Sequence, residues 1–175
     1  MSRRAQAHSQ PKEAMGPSKA VDDQFTELGY LHFLAAFCPL HRRMSAEWLS
    51  KLFIPAVNSK SVRFFRNEHD NVCAALIWAR LDQGEVDRML KHHEPPGADA
   101  WNGKGALWFL DVLAPFDHGR LVARHIARNP PPEPFYFARL NTAGQVRKVV
   151  RAEASARGRD RMKTFHLRRD ADGAV

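Results

Sequence analysis

Between residues 21 and 154 the hydrophobic positions switch repeatedly between a helical and an alternating or continuous pattern. Asp22 or Asp23 can cap a helix in which Phe25, Leu28, Leu31, Leu34 and Ala35 recur every three or four positions, stopping before Pro39. Ser45, with Glu47 in the first turn, opens a second helical pattern through Trp48, Leu49, Leu52 and Phe53. After Pro55 and Asn58, residues 61–66 and 72–79 are two apolar runs around a polar turn, which predicts a hairpin. Residues 84–91 read as a short helix with Val86, Met89 and Leu90 on one side, broken by Pro95, Pro96 and Gly97. Residues 106–113 are nearly all apolar, the pattern of a strand covered on both faces. A helix over 119–127 ends at three consecutive prolines, and a last hairpin spans 135–140 and 145–150. The alternation predicts a single α/β (α+β) domain, a mixed sheet with helices packed on it.

Residues 1–20 lack periodicity and read as a flexible tail; residues 155–175 are polar and basic and read as a second tail. Over 175 residues, Lys+Arg 27 against Asp+Glu 19 gives +8, so a macromolecular partner is expected to be acidic. The composition, 44% hydrophobic and 26% charged, excludes a wholly disordered chain. Two cysteines cannot build a disulfide scaffold and suggest a reducing compartment. No apolar run follows the basic start, and none approaches the length of a membrane span, so a soluble cytoplasmic protein is the expectation.

Two places carry candidate chemistry. His41, in Cys38-Pro39-Leu40-His41-Arg42-Arg43, follows the end of the first helix, where reacting groups are often placed, and its ordinary pKa near ~6.5 suits proton transfer. A surface histidine is the plainer reading of the same residue. Asp111 stands alone in an apolar strand, and burying its charge costs several kcal/mol unless it is paired. Alternation puts it on the side of Phe109 and Leu113, a poor match for a wet face. It is either paired structurally with an arginine or set to orient a histidine. Cys38 and His41 could form half a zinc site, but no second pair at ligand spacing completes it and no metal is expected. Cys38 as a nucleophile beside His41 is a further reading.

Together, Leu28-Gly29-Tyr30, Cys38-Pro39-Leu40-His41-Arg42 and Trp48, with Trp108 through Phe116 ending Asp-x-x-Ala-Pro-Phe, resemble the two signatures of the toxin-activating lysine acyltransferases. Ile54-Pro55-Ala56, the Trp-Ala pair of residues 78 and 79, and Trp101-Asn102-Gly103 fit in order, so the resemblance runs from about residue 28 to residue 150. It implies a fold like the Gcn5-related N-acetyltransferases (GNAT-like) and transfer of a fatty acyl group from acyl carrier protein to internal lysines of a repeats-in-toxin (RTX) protoxin. It implies no bound cofactor, with acyl-acyl carrier protein as co-substrate, and suggests a homodimer. The family's catalytic residues fall on His41, as general base or acyl-imidazole, and on Asp111, which orients and stabilises the charged ring. Cys38 stands where the family commonly has Ser, and Asp117-His118 where a Gly is usual. Cys38, Arg42, Arg139 and Lys148, with Arg43 and Arg147, are the candidates for substrate or acyl-donor contacts. A coenzyme A-dependent N-acetyltransferase is the alternative enzyme. A basic nucleic-acid-binding module is the alternative of another class, and it leaves both signatures unexplained.

Overall fold

The computed structural model describes residues 19–141, 145–156 and 161–165. Helix α1 (Lys19–Phe37) leads through a 3-10 turn (His41–Arg43) into α2 (Ala46–Asn58), and strands β1 (Val62–Arg66) and β2 (Val72–Leu81) follow as a hairpin. Then come α3 (Gln83–His92), β3 (Ala106–Leu113), α4 (Gly119–Arg128), β4 (Phe135–Leu140), β5 (Val146–Ala152) and β6 (Met162–Phe165). The strands form one mixed sheet in the order β1-β2-β3-β4-β5-β6, antiparallel except for the β3–β4 pair. Only that parallel pair needs a crossover, and α4 supplies it.

The elements form for local reasons. The Ser45 hydroxyl accepts from the Trp48 amide at 3.1 Å and the Asp82 carboxylate accepts from the Glu85 amide at 2.9 Å, each satisfying a first-turn amide of α2 or α3. Pro55 lies inside α2, and the Ser59 hydroxyl donates to its carbonyl at 2.7 Å as the helix closes. Before β3, Gly105 is obligatory, since a Cβ there would lie 1.9 Å from the Leu81 carbonyl oxygen.

The sheet is covered on both sides. Leu31, Leu34 and Ala35 of α1 and Leu49, Leu52, Phe53, Ala56 and Val57 of α2 pack with Ala75, Ile77, Ala79 and Leu81 of β2 on one face. Val122 and Ile126 of α4 pack against Ala74, Leu76, Trp78 and Phe109 on the other. The α/β domain expected from the sequence is therefore the one observed. One difference lies at the carboxyl-terminal end: Met162–Phe165, inside the stretch read as a basic tail, pairs with β5 as an edge strand. It is only four residues long and half polar, so it gives almost no hydrophobic signal. The rest of that stretch from residue 166, and residues 1–18 of the other expected tail, lie outside the described residues.

Candidate active site

The residues that end α1 also aim His41. The Cys38 amide still bonds back to Leu34 and Ala35, and the Arg42 amide to the Cys38 carbonyl at 3.0 Å, so the chain makes one more helical turn through Pro39. The Met44 amide then bonds the His41 carbonyl at 2.9 Å, closing the 3-10 turn before Ser45 caps α2. In this turn His41 faces inward, 6% exposed, while Arg42 and Arg43 face solvent.

Asp111 arrives from β3 through an irregularity that alternation alone does not foresee. Opposite β2, Trp78 pairs with Phe109 but Ile77 pairs with Asp111, so Leu110 is an extra residue, a β-bulge. Phe109 packs on the α4 side, whereas Leu110 and Leu113 pack on the α1–α2 side. The bulge thus separates Asp111 from Phe109, with which strict alternation groups it, and sets it opposite Ile77 on the face that carries His41. There the His41 Nε2 meets the Asp111 Oδ2 at 2.6 Å, with side-chain exposures of 7% and 15%.

This pair is a charge-assisted hydrogen bond in a nearly dry setting. Burial is the largest influence on the ring and by itself lowers its pKa. The hydrogen bond to Asp111, the neighbouring Cys38 side chain and the charge of the carboxylate outweigh it, and the pKa rises from 6.5 to about 10. At neutral pH the resting pair is an imidazolium facing a carboxylate. The other ring nitrogen, Nδ1, is buried and makes no hydrogen bond.

Behind Asp111 the sheet opens. Only three residue pairs join β3 to β4, ending at Phe109 and Phe137, and beyond them the strands part. A cavity of about 760 Å³ fills the opening, lined by Phe109, Val122, Ile126, Phe135, Phe137 and Met162 and reaching Asp111. At the closed end of the split, Trp108 stacks on Tyr136 with centroids 5.2 Å apart, and the Arg80 guanidinium grips both carboxylate oxygens of Glu133. The cavity is the feature the sequence did not reveal. Its apolar positions come from α4 and three strands, and each reads by itself as ordinary core.

Of the other candidates, Cys38 lies one turn before His41 and is 6% exposed. Arg42 is exposed on the same turn, without a direct link to the cavity. Arg139 lines the cavity, and Lys148 faces it across the β4–β5 ladder. Among the described residues no group of three or more His, Cys, Asp or Glu side chains is arranged to hold a metal ion, and no helix is long and apolar enough to cross a membrane.

Sequence comparisons place this geometry in context. The chain is 27% identical over 129 residues, 74% of its length and 76% of the relative's, to a leukotoxin-activating lysine-acyltransferase of Aggregatibacter actinomycetemcomitans. It is 25% identical over 136 residues, 77% and 78% of the two lengths, to an RTX-III toxin-activating lysine-acyltransferase of Actinobacillus pleuropneumoniae. A protein-lysine myristoyltransferase of Escherichia coli matches at 25% identity over 122 residues, 70% and 71% of the two lengths. The chain is an acyltransferase. Because the profile of the RTX toxin acyltransferase family, HlyC, matches residues 21–159, it belongs to that family.

Proposed function

We propose that the protein transfers a fatty acyl group from acyl carrier protein to internal lysines of an RTX-type protoxin in the cytoplasm, with His41 and Asp111 as the proton-handling pair. The observation that carries this reading is the buried 2.6 Å contact between the two side chains beside an apolar cavity. A lysine ammonium, pKa about 10.4, attacks a thioester only after losing a proton. His41, once neutral, takes that proton, and Asp111 fixes the ring and stabilises its charged form. The split between β3 and β4 suits a thioester whose chain runs into the apolar space, and the β3 backbone left without a β4 partner can meet the oxyanion.

The charge pattern supports an acidic donor. Arg139 and Lys148 stand directly opposite each other in the ladder, an arrangement that costs roughly 0.2–1 kcal/mol and that an anionic partner would relieve. The two free thiols suit a reducing compartment.

Co-expression with an RTX protoxin and intact-mass measurement of the protoxin test the reading. Wild type should add fatty acyl groups to lysine, and His41→Ala and Asp111→Ala should add none while keeping their circular dichroism. Full activity in a folded His41→Ala protein would refute the assignment. Turnover with coenzyme A thioesters but not with the acyl carrier protein thioester of the same chain would reassign the donor.

A further inference from the structure

Helix α1 is apolar on both of its sides. Leu31, Leu34 and Ala35 face the core, yet Phe25, Phe33 and Phe37 on the outer side are each at least half exposed. A lone exposed ring is ordinary, whereas rings in mutual contact make a patch. The ring centroids of Phe33 and Phe37 lie 5.1 Å apart, and Phe116, 41% exposed, lies 6.2 and 5.6 Å from the two. Phe37 is the last residue of α1, and the single turn that follows it delivers His41. Phe116 stands in the loop that leaves β3, the strand of Asp111. The cluster therefore bridges the two segments that carry the proton-handling pair.

Its electrostatic surroundings differ from the rest of the molecule. Although the chain carries a net charge of +8, residues 20–41 and 105–119 contain no Lys or Arg. Asp23 is exposed on α1, Glu27 is half-exposed there, and Asp117 is exposed beside Phe116. Arg42, Arg43 and Arg120, all exposed, mark where this cation-free zone ends. An acidic partner finds no counter-charge within it. A lysine-bearing segment does: the acids raise its local concentration, ring faces attract an ammonium, and its aliphatic stem and apolar neighbours cover the rings.

We propose that the Phe33–Phe37–Phe116 cluster docks the protein acceptor, taking a cationic segment that carries the target lysine with an apolar residue next to it. This rests on the lysine acyl-transfer reading above. Area argues against a second copy of the chain as the occupant. Three half-exposed rings offer roughly 300 Å², against the ~800 Å² that each partner of a stable pair covers. A small apolar patch edged by acids suits a transient contact, which an acceptor that leaves after each transfer requires. Donor and acceptor then arrive by different surfaces, the acidic donor at Arg139 and Lys148 and the basic acceptor at the end of α1.

Phe33→Ser combined with Phe116→Ser removes two rings and leaves the turn of His41 and the buried core untouched. In steady-state acylation of an RTX protoxin by a fatty-acyl thioester of acyl carrier protein, this variant should raise KM for the protoxin at least about tenfold. KM for the acyl donor should stay within about twofold, and Phe33→Leu with Phe116→Leu should restore most of the loss. If circular dichroism shows the double Ser variant unfolded, Phe116→Ser alone carries the comparison, with about a threefold rise expected. An unchanged KM for the protoxin, or equal rises for both substrates, would overturn the proposal. Titration of unacylated protoxin onto the full chain, without donor, separates the two readings. Protoxin binding that the double variant weakens at least about tenfold, with no lysine ever acylated, would sink the catalytic reading and keep the docking surface. Acylated lysines with equal binding by wild type and variant, or a wild type that does not bind protoxin, would sink the docking surface. So would a dimer that the double substitution dissociates in sedimentation velocity, or binding to vesicles of equal parts phosphatidylcholine and phosphatidylglycerol that it abolishes, since these assign the cluster to a second copy or a lipid surface.

Discussion

The charged state of His41 should be measurable as stability, without any substrate. A folded pKa of about 10 against 6.5 in the unfolded chain corresponds to about 5 kcal/mol, at 1.36 kcal/mol per unit. The side chain is 7% exposed, so solvent screening removes little of this. Because the folded pKa is raised, the contribution is fully present below pH 6.5 and is lost as pH rises through 10. Between pH 6.5 and 8.5 the loss should be about 2 kcal/mol. Other groups titrate over the same range, which makes the comparison with Asp111→Asn the decisive one. In that variant burial remains and the carboxylate is gone, so the ring should be neutral at pH 7 and this loss should vanish. Urea unfolding followed by tryptophan fluorescence at pH 6.5, 7.5 and 8.5 gives the two curves, and NMR titration of the imidazole gives the pKa directly. Parallel curves for the two proteins, or an imidazole that titrates near 6.5 in wild type, would refute the buried ion pair.

Other consequences can be checked as simply. Asp117 holds a left-handed backbone, φ 60°, so Asp117→Gly should raise stability by about 1 kcal/mol in the same unfolding assay. Ile126→Trp fills the cavity from α4 and should lower kcat/KM for a long acyl donor at least about tenfold more than for a short one. The double substitution Arg139→Glu and Lys148→Glu should weaken binding of acyl carrier protein and flatten its salt dependence in a titration at rising ionic strength. Leu34→Ala, at a fully buried position of α1, should cost about 2–5 kcal/mol on denaturant unfolding.

The fold was legible where pattern and punctuation agreed. Pro39 and Ser45 bracket the turn that carries His41, and the polar residues 67–71 between β1 and β2 mark a hairpin. Asp111 was visible as an acid in an apolar strand. Its direction was not, because a one-residue bulge inverts every alternation argument that crosses it, and Leu110 looks like any other core residue. The parallel β3–β4 pairing and its early end depend on tertiary packing that local periodicity does not encode. Pro55 marks no helix end, because α2 is held by five buried side chains on its inner face. Edge strand β6, four residues of which two are polar, is too short to register.

The sheet is in effect two three-stranded leaves, β1-β2-β3 and β4-β5-β6, bound along a spine only three residue pairs long. The spine is riveted at one end by the Trp108–Tyr136 stack and the Arg80–Glu133 clasp, and free at the other. A bulkier guest would therefore be met by the leaves pivoting apart about that rivet. Discrimination between guests then becomes a matter of how stiffly the book opens, and substitutions at the clasp, remote from any reacting atom, would retune it.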